Sequence, residues 1–152
     1  MSGNRKHGAR GRSRARRLAM QGLYQWQLGG NEAADILAQL HLSQEAKNTD
    51  LEYFDLLLRD TIAQHAALAA AFEPHLDRPA DQLDPIERAI LLLGMYELKS
   101  CLDVPYRVVL NEAVELAKNF GGEDSHKYIN AVLDRAADEY RAPEKQARAR
   151  VT

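Results

Sequence analysis

The sequence has few of the residues and motifs on which enzymes and disulfide-bonded proteins depend. Cys101 is its one cysteine, so no disulfide can form within the chain, and a reducing cytosol is the expected compartment. No P-loop, GxGxxG, HExxH or CxxC motif is present. We therefore expect a cytoplasmic protein that has no catalytic activity, no cofactor and no metal site.

Long apolar runs are also missing. No run approaches the length of about 20 residues that spans a bilayer, and the basic N-terminus is not followed by an apolar signal core. We expect no membrane segment and no secretory signal. The 152 residues are 45% apolar and 28% charged, which is typical of a soluble globular domain with a sizeable core.

Two candidate chemical sites are weak. Asp124-Ser125-His126 contains the residue types of a hydrolase triad, but neighbours on one turn cannot form a relay that needs each base to be reached across space. His65 falls on the apolar stripe of a predicted helix, and no second histidine or acid cluster has ligand spacing with it. We interpret His65 as a hydrogen-bonded core residue.

Positive charge is concentrated at the N-terminus. Residues 1–17 carry seven lysines and arginines and no acid, so a formal net charge of −2 leaves −9 on the rest of the chain. A basic arm suggests an anionic partner such as nucleic acid, and an acidic body suggests a basic one. A disordered solubilising tail or a targeting run would give the same pattern, and the arm alone does not decide between them.

Hydrophobic periodicity is helical along the whole chain, and no stretch reads as a convincing strand. The sequence predicts an all-α compact bundle of about six or seven helices. The first predicted helix runs from near residues 12–15 to Leu28, and a short one covers Ile36–Leu40. A long helix over 51–73 is capped by Asp50, and the next begins at an Asp84/Glu87 capping box and ends at about Leu102. A pair of helices lies within 103–140.

A weak internal repeat divides the bundle into two halves. Residues 16–26 align with residues 88–98 through a shared Gly-apolar-Tyr after an arginine and an apolar run. Gly22 and Gly94 would each cost about 1 kcal/mol within a helix, which close helix packing usually compensates. We predict halves of about 12–76 and 80–140 within one domain, a disordered arm over 1–11 and a flexible tail over 141–152.

The predicted helix pair near the C-terminus is joined by a polar turn. Gly121 and Gly122 can take the left-handed conformation that ends a helix, and Asp124 or Ser125 can cap the next one. Tyr128 lies at the edge of the following apolar stripe, beside Lys127. The ring could stack on a base while the lysine meets a phosphate, or it could simply pack against the stripe.

Three segments carry a family resemblance. RARRLAMQGLYQWQL at 14–28, LDPIERAILLLGMYEL at 83–98 and DVPYRVVLNEAVELAKNFGGEDSHKYINAVLD at 103–134 resemble the NusB family of bacterial transcription antitermination factors. The similarity extends from about Arg12 to Ala137. It implies an all-α fold of two helical halves, as the repeat does.

The resemblance also implies a function. Members pair with NusE, a small-subunit ribosomal protein, bind the boxA element of nascent ribosomal RNA and join the antitermination complex on RNA polymerase. The NusE-binding residues it implies here are Tyr24 and Glu87. The RNA-binding residues it implies are Arg12, Arg14, Arg16, Gln21, Asp124, Lys127 and Tyr128.

Some positions depart from the family pattern. Ser13 interrupts the arginine run, Arg17 stands where an acid is common, and Tyr128 replaces the more usual phenylalanine while keeping a stacking face. Leu92 lies where some members carry a basic residue, so one RNA contact is in doubt.

Two other classes of protein are weighed against this reading. An RNA methyltransferase with such a helical domain would need a large cofactor-binding domain after it, which we do not expect beyond Thr152. A helical scaffold that binds only protein, including a homodimer, would leave the arm merely solvated, and the sequence leaves self-association open.

Overall fold

The computed structural model describes the backbone of residues 3–151 and the side chains of residues 8–150. This described part contains eight α-helices, three short 3₁₀ turns and no strand, which confirms the predicted all-α class. The helices are α1 (Gly3–Gly29), α2 (Ala33–His41), α3 (Leu51–Ala63), α4 (His65–Phe72), α5 (Pro85–Ser100), α6 (Tyr106–Phe120), α7 (Ser125–Tyr140) and α8 (Ala142–Val151). The 3₁₀ turns cover Gln44–Ala46, Glu73–His75 and Ala80–Gln82.

Backbone contacts divide the chain into an N-terminal unit, Met1–His65, and a C-terminal unit, Ala66–Thr152. In the N-terminal unit, α1 packs against α3 and α2. Its core side chains are apolar and spaced one helical turn apart. They include Ala15, Leu18, Leu23, Ile36, Phe54, Leu57 and Leu58.

Helix α5 is the centre of the C-terminal unit, where it packs against α6 and α7. Every residue from Ala89 to Leu98 is buried, in agreement with a sequence that is apolar nearly all round. The predicted capping box starts this helix, because Asp84 accepts the Glu87 N–H at 2.8 Å and Glu87 accepts the Asp84 N–H at 3.3 Å.

Both repeat-related glycines allow close packing between helices. A Cβ on Gly22 would lie 2.7 Å from a Leu58 methyl carbon in the N-terminal unit, and a Cβ on Gly94 would lie 2.7 Å from a Leu133 methyl carbon in the C-terminal unit. Each unit therefore contains a helix with a glycine against which a leucine fits. The close packing predicted from the repeat is confirmed.

The predicted helix over 51–73 is two helices. The expected Asp50 cap is present, because its carboxylate accepts the Tyr53 N–H at 3.1 Å, but α3 ends at Ala63. Gln64 leaves helical geometry, with φ −106° and ψ 14°. The division at His65 falls earlier than the boundary between the predicted halves, at about residues 76–80. This break and the helical segment α8 together bring the described helices to eight, against the six or seven expected.

The two terminal segments contain more helix than expected. Helix α1 begins at Gly3 instead of near residues 12–15, with a kink at Gly8, where φ is 57°. Gly11 is buried and its carbonyl accepts the Asp50 N–H at 3.1 Å, so the predicted arm is tied down at its end. The predicted disorder concerns the arm over residues 1–11, and the side chains of residues 1–7 lie outside the described residues.

Arg141 anchors the segment that the sequence predicts to be a flexible tail. Its buried guanidinium donates to the carbonyl oxygens of Leu98 at 2.8 Å, Cys101 at 3.0 Å and Glu97 at 3.1 Å. These carbonyls belong to the C-terminal end of α5, where intrahelical partners run out. Glu144 accepts from Arg141 at 2.6 Å and from the Tyr106 N–H at 2.9 Å. This clamp holds the start of α8 to α5 and α6, and the flexibility of the tail stays a prediction.

None of the described helices is both long enough and apolar enough to cross a membrane.

Candidate nucleic-acid interface

One side of α1 presents basic, polar and aromatic residues to solvent. Arg14, Arg17, Tyr24 and Leu28 are exposed and Gln21 is half-buried, while the opposite side of the helix is in the core. The residues follow one another at steps of three or four, so they lie along one face. This face is cationic at Arg14 and Arg17 and becomes aromatic and apolar at Tyr24 and Leu28.

Arg16 is buried and Arg12 is half-buried, and both lie against Tyr53 on α3. Their guanidinium carbons lie 4.2 and 5.5 Å from the centroid of the Tyr53 ring. Arg16 is 4% exposed, and an arginine is rarely buried so completely unless its charge has partners. Of the three arginines implied to bind RNA, Arg14 is therefore the most exposed.

The turn between α6 and α7 needs glycine for space. Gly121 has an extended φ of −88°, and the left-handed residue is Asp124, with φ 65°. A Cβ on Gly121 would lie 2.7 Å from the carbonyl oxygen of Ala117 and 3.0 Å from Ser125. The expected left-handed glycine is thus wrong, because aspartate tolerates that conformation and Gly121 instead serves the close approach.

Asp124 and Lys127 lie at the exposed start of α7. The Asp124 carboxylate accepts no backbone N–H as a cap and forms an ion pair with Lys127, with 3.3 Å between Oδ1 and Nζ. Both side chains are about 70% exposed, so the pair contributes little to stability and is easily exchanged for another anion. Lys127 is therefore accessible to a phosphate.

Tyr128 is buried, which is the packing alternative weighed from the sequence. It is 8% exposed, and the guanidinium carbon of Arg78 lies 3.7 Å from the centre of its ring. Its hydroxyl is buried without a hydrogen-bond partner among the described residues. Burial raises the pKa of Tyr128, and the positive charge of Arg78 opposes that rise.

Glu87 is also buried, at 8% exposure. Oε1 completes the capping box, and Oε2 accepts the Ser125 hydroxyl at 2.8 Å. Both oxygens thus have partners inside the C-terminal unit. A residue implied to bind NusE therefore joins the start of α5 to the start of α7.

Each unit brings part of the implied site together. In the N-terminal unit, Arg14, Gln21 and Tyr24 share one helix face. In the C-terminal unit, Asp124, Lys127 and Tyr128 lie on one turn. Sequence reasoning missed Tyr53 and Arg78, which cover residues of the implied site from other helices or turns, because periodicity carries no information about such contacts.

His65 is hydrogen-bonded as expected, although it is half-buried and not a fully buried core residue. Its Nδ1–H donates to the Ile62 carbonyl at 2.8 Å, and its ring packs edge-on against Trp26 with 4.8 Å between centroids. The hydrogen bond lies at the break after α3, where the Gln64 N–H also points at the Ile62 carbonyl.

The chain matches the model of the NusB family over residues 13–138. The transcription antitermination protein NusB of Paraburkholderia phymatum is 54% identical over 139 residues, which are 91% of this chain and 96% of that protein. The protein of the same name from Cupriavidus pinatubonensis is 53% identical over 137 residues, covering 90% of this chain and 82% of the relative.

Solved structures agree with these sequence comparisons. A crystal structure of the antitermination factors NusB and NusE in complex with dsRNA contains a chain that is 29% identical to this one. It aligns with a TM-score of 0.76 over 88% of this chain and 98% of that chain. The fold and the sequence therefore place this chain in the NusB family of transcription antitermination proteins.

Proposed function

We propose that this protein binds the boxA element of nascent ribosomal RNA together with NusE, a small-subunit ribosomal protein, and thereby joins the antitermination complex on RNA polymerase. The observation that carries the proposal is the structural similarity to a chain from a complex of NusB and NusE with dsRNA. The alignment covers 88% of this chain and 98% of that chain. Such a role places the protein in the bacterial cytoplasm, where nascent RNA is made.

The exposed cations support RNA binding within each unit. Arg14 presents its side chain from α1, where its one described bond is a long 3.5 Å contact to the Lys47 carbonyl, and Lys127 has only an exposed ion pair to give up. Both can meet phosphates at small cost. Gln21 lies further along the same face of α1 as Arg14, and Asp124 is paired with Lys127, so both can form hydrogen bonds with bases or sugars.

The charge and the exposed aromatic of the chain support a basic protein partner. Residues 18–152 carry the −9 that balances the basic first 17 residues, and complementary charge favours association with a basic ribosomal protein. Tyr24 is 38% exposed on α1, so its ring is accessible to a partner. We propose that Tyr24 contacts NusE directly. Because Glu87 is buried, we propose that it acts mainly by holding the start of α7.

Fluorescence anisotropy with labelled RNA tests the proposal. A boxA RNA and a scrambled RNA of equal length would be titrated with this protein alone and with NusE added. We expect NusE to tighten boxA binding and to change binding of the scrambled RNA little. Equal, weak binding of both RNAs with and without NusE would contradict the proposal and favour a protein-only scaffold.

Charge-removing variants identify the phosphate contacts. Arg14→Ala and Lys127→Ala should each weaken boxA and scrambled RNA similarly and reduce the salt dependence by about one counterion. Arg59→Ala is the matched control, because Arg59 is an exposed arginine on α3 outside the implied site. If Arg14→Ala and Lys127→Ala leave the salt dependence of RNA affinity unchanged, these residues do not contact RNA phosphates.

A further inference from the structure

Arg78 is the residue that covers Tyr128. It lies between the 3₁₀ turns at Glu73–His75 and Ala80–Gln82, and its guanidinium carbon is 3.7 Å from the centre of the Tyr128 ring. This distance is that of direct contact with the ring face, which attracts cations. The group above the ring belongs to a side chain that is itself exposed, so no other part of Arg78 has to leave the core for the ring face to be uncovered.

Arg78 is held much less firmly than the neighbouring Arg135. Its side chain is 37% exposed, and its described ion pair is a 3.7 Å contact with the adjacent Asp77, which is 70% exposed. In contrast, Arg135 donates through two of its nitrogens to the backbone carbonyl of His75. Both arginines affect the pKa of Tyr128, but only Arg78 lies over its ring.

A guanidinium is a flat, cationic group that stacks on aromatic rings as a nucleobase does. On Tyr128 it occupies the surface that a base would need. We propose that Arg78 is a displaceable cover of the Tyr128 ring, which a base of the bound RNA replaces. The inference rests on the proposed function, because the incoming group is an RNA base.

The cover opposes RNA binding by a small amount. An exposed cation–π contact has to be broken before the base can stack, which corresponds to a loss of about two- to fivefold in affinity. The displaced guanidinium returns to water, which already reaches more than a third of its side chain. The ring stays protected from solvent while no RNA is bound.

The cover can be tested without RNA by hydroxyl-radical footprinting read by mass spectrometry. Arg78→Ala should raise the oxidation rate of Tyr128 severalfold over the wild-type rate. Tyr24, which is already exposed, is the internal reference. Arg107→Ala is the matched control, because it removes an exposed arginine of the C-terminal unit with no described contact to Tyr128. An oxidation rate that Arg78→Ala leaves unchanged would overturn the cover.

The competition with RNA is tested by a double-mutant cycle. Affinity for boxA RNA with NusE would be measured for wild type, Arg78→Ala, Tyr128→Leu and the double variant. Leucine keeps apolar volume at position 128 but offers no ring face, and thermal melts would verify that each variant folds. Relative to Arg107→Ala, we expect Arg78→Ala to tighten binding about two- to fivefold when Tyr128 is present, and not at all when Leu replaces it.

Other outcomes overturn the inference or the proposed function separately. Weaker binding of Arg78→Ala in both backgrounds would make Arg78 an ordinary phosphate contact, and no change in either background would remove it from the site. In both cases NusE-dependent binding of boxA by the wild type would leave the proposed function standing. If the wild type does not distinguish boxA from scrambled RNA, the proposed function fails and the replacement of Arg78 by a base fails with it.

Discussion

The Ser125 hydroxyl donates to Oε2 of Glu87 across 2.8 Å, and both residues are buried. The bond connects the capping box of α5 to the first residue of α7, so it fixes the turn that carries Asp124, Lys127 and Tyr128. The Glu87 carboxylate, which the family resemblance implies to bind NusE, therefore stabilises the fold of the C-terminal unit.

Ser125→Ala should lower the free energy of unfolding by about 1–3 kcal/mol, because it leaves a buried carboxylate oxygen without its donor. Urea denaturation followed by circular dichroism measures the change. Ser100→Ala, at an exposed serine near the end of α5, is the control and should change stability by less than about 0.5 kcal/mol. Equal effects of the two variants would show that the Ser125–Glu87 bond contributes no stability.

Gly121→Ala should destabilise the protein by about 1–3 kcal/mol, because the added Cβ would lie 2.7 Å from the Ala117 carbonyl oxygen, a backbone atom that cannot turn away. Gly122→Ala is the matched control, since its Cβ would meet no atom within 4 Å and its φ is not positive. Thermal melts should therefore separate the two adjacent glycines. Similar melting temperatures for both variants would contradict the crowding at Gly121.

Arg141→Ala should cost on the order of 3 kcal/mol, because three carbonyls at the end of α5 lose a charged donor. Arg150→Ala, in the exposed last turn of α8, should cost almost nothing. Urea denaturation of the full-length variants compares them. If both variants are as stable as the wild type, the clamp does not hold α8 in solution.

Tyr128→Phe should leave the protein as stable as the wild type or stabilise it by up to about 1 kcal/mol, because the Tyr128 hydroxyl is buried without a described partner. RNA affinity should be unchanged, since phenylalanine keeps the stacking face. Thermal melts and anisotropy measure the two quantities. A clear loss of stability would mean that the hydroxyl has a partner in solution.

The raised pKa of Tyr128 predicts a loss of stability at alkaline pH. A tyrosine in the unfolded chain ionises near pH 10, while burial keeps Tyr128 protonated to a higher pH in the folded protein. The unfolded state therefore binds fewer protons above pH 10, and the free energy of unfolding falls as the pH rises. Tyr128→Phe should lose less stability between pH 9 and pH 11 than the wild type, as measured by urea denaturation.

The contribution of Lys145 to the free energy of unfolding is lost in the same pH range, so it must be distinguished from that of Tyr128. Burial would lower its pKa, but hydrogen bonds to Asp134 and Asp138 raise it, so its contribution is also lost as pH rises. The wild type and Tyr128→Phe both keep Lys145, so the difference between their alkaline losses of stability comes from Tyr128. Parallel alkaline losses for Tyr128→Phe and wild type would contradict the burial of an ionisable hydroxyl.

The sequence determined the elements that depend on neighbouring residues. The helical period, the Asp50 cap and the Asp84/Glu87 capping box are local, and the structure contains all of them. The Gly22 and Gly94 repeat correctly indicated close helix packing because a missing side chain is visible in the sequence. The three long motifs indicated the family. The family match and the similar curated proteins confirm the prediction of a transcription antitermination protein.

The tertiary structure alone decided which candidate side chains remain accessible. Arg12, Arg14 and Arg16 look alike in sequence, but Tyr53 on another helix covers two of them. Tyr128 lies at the edge of its stripe, where periodicity allows packing or stacking, and only the placement of Arg78 shows that its ring is covered. Burial depends on residues distant in the chain, so helical period and composition cannot specify it.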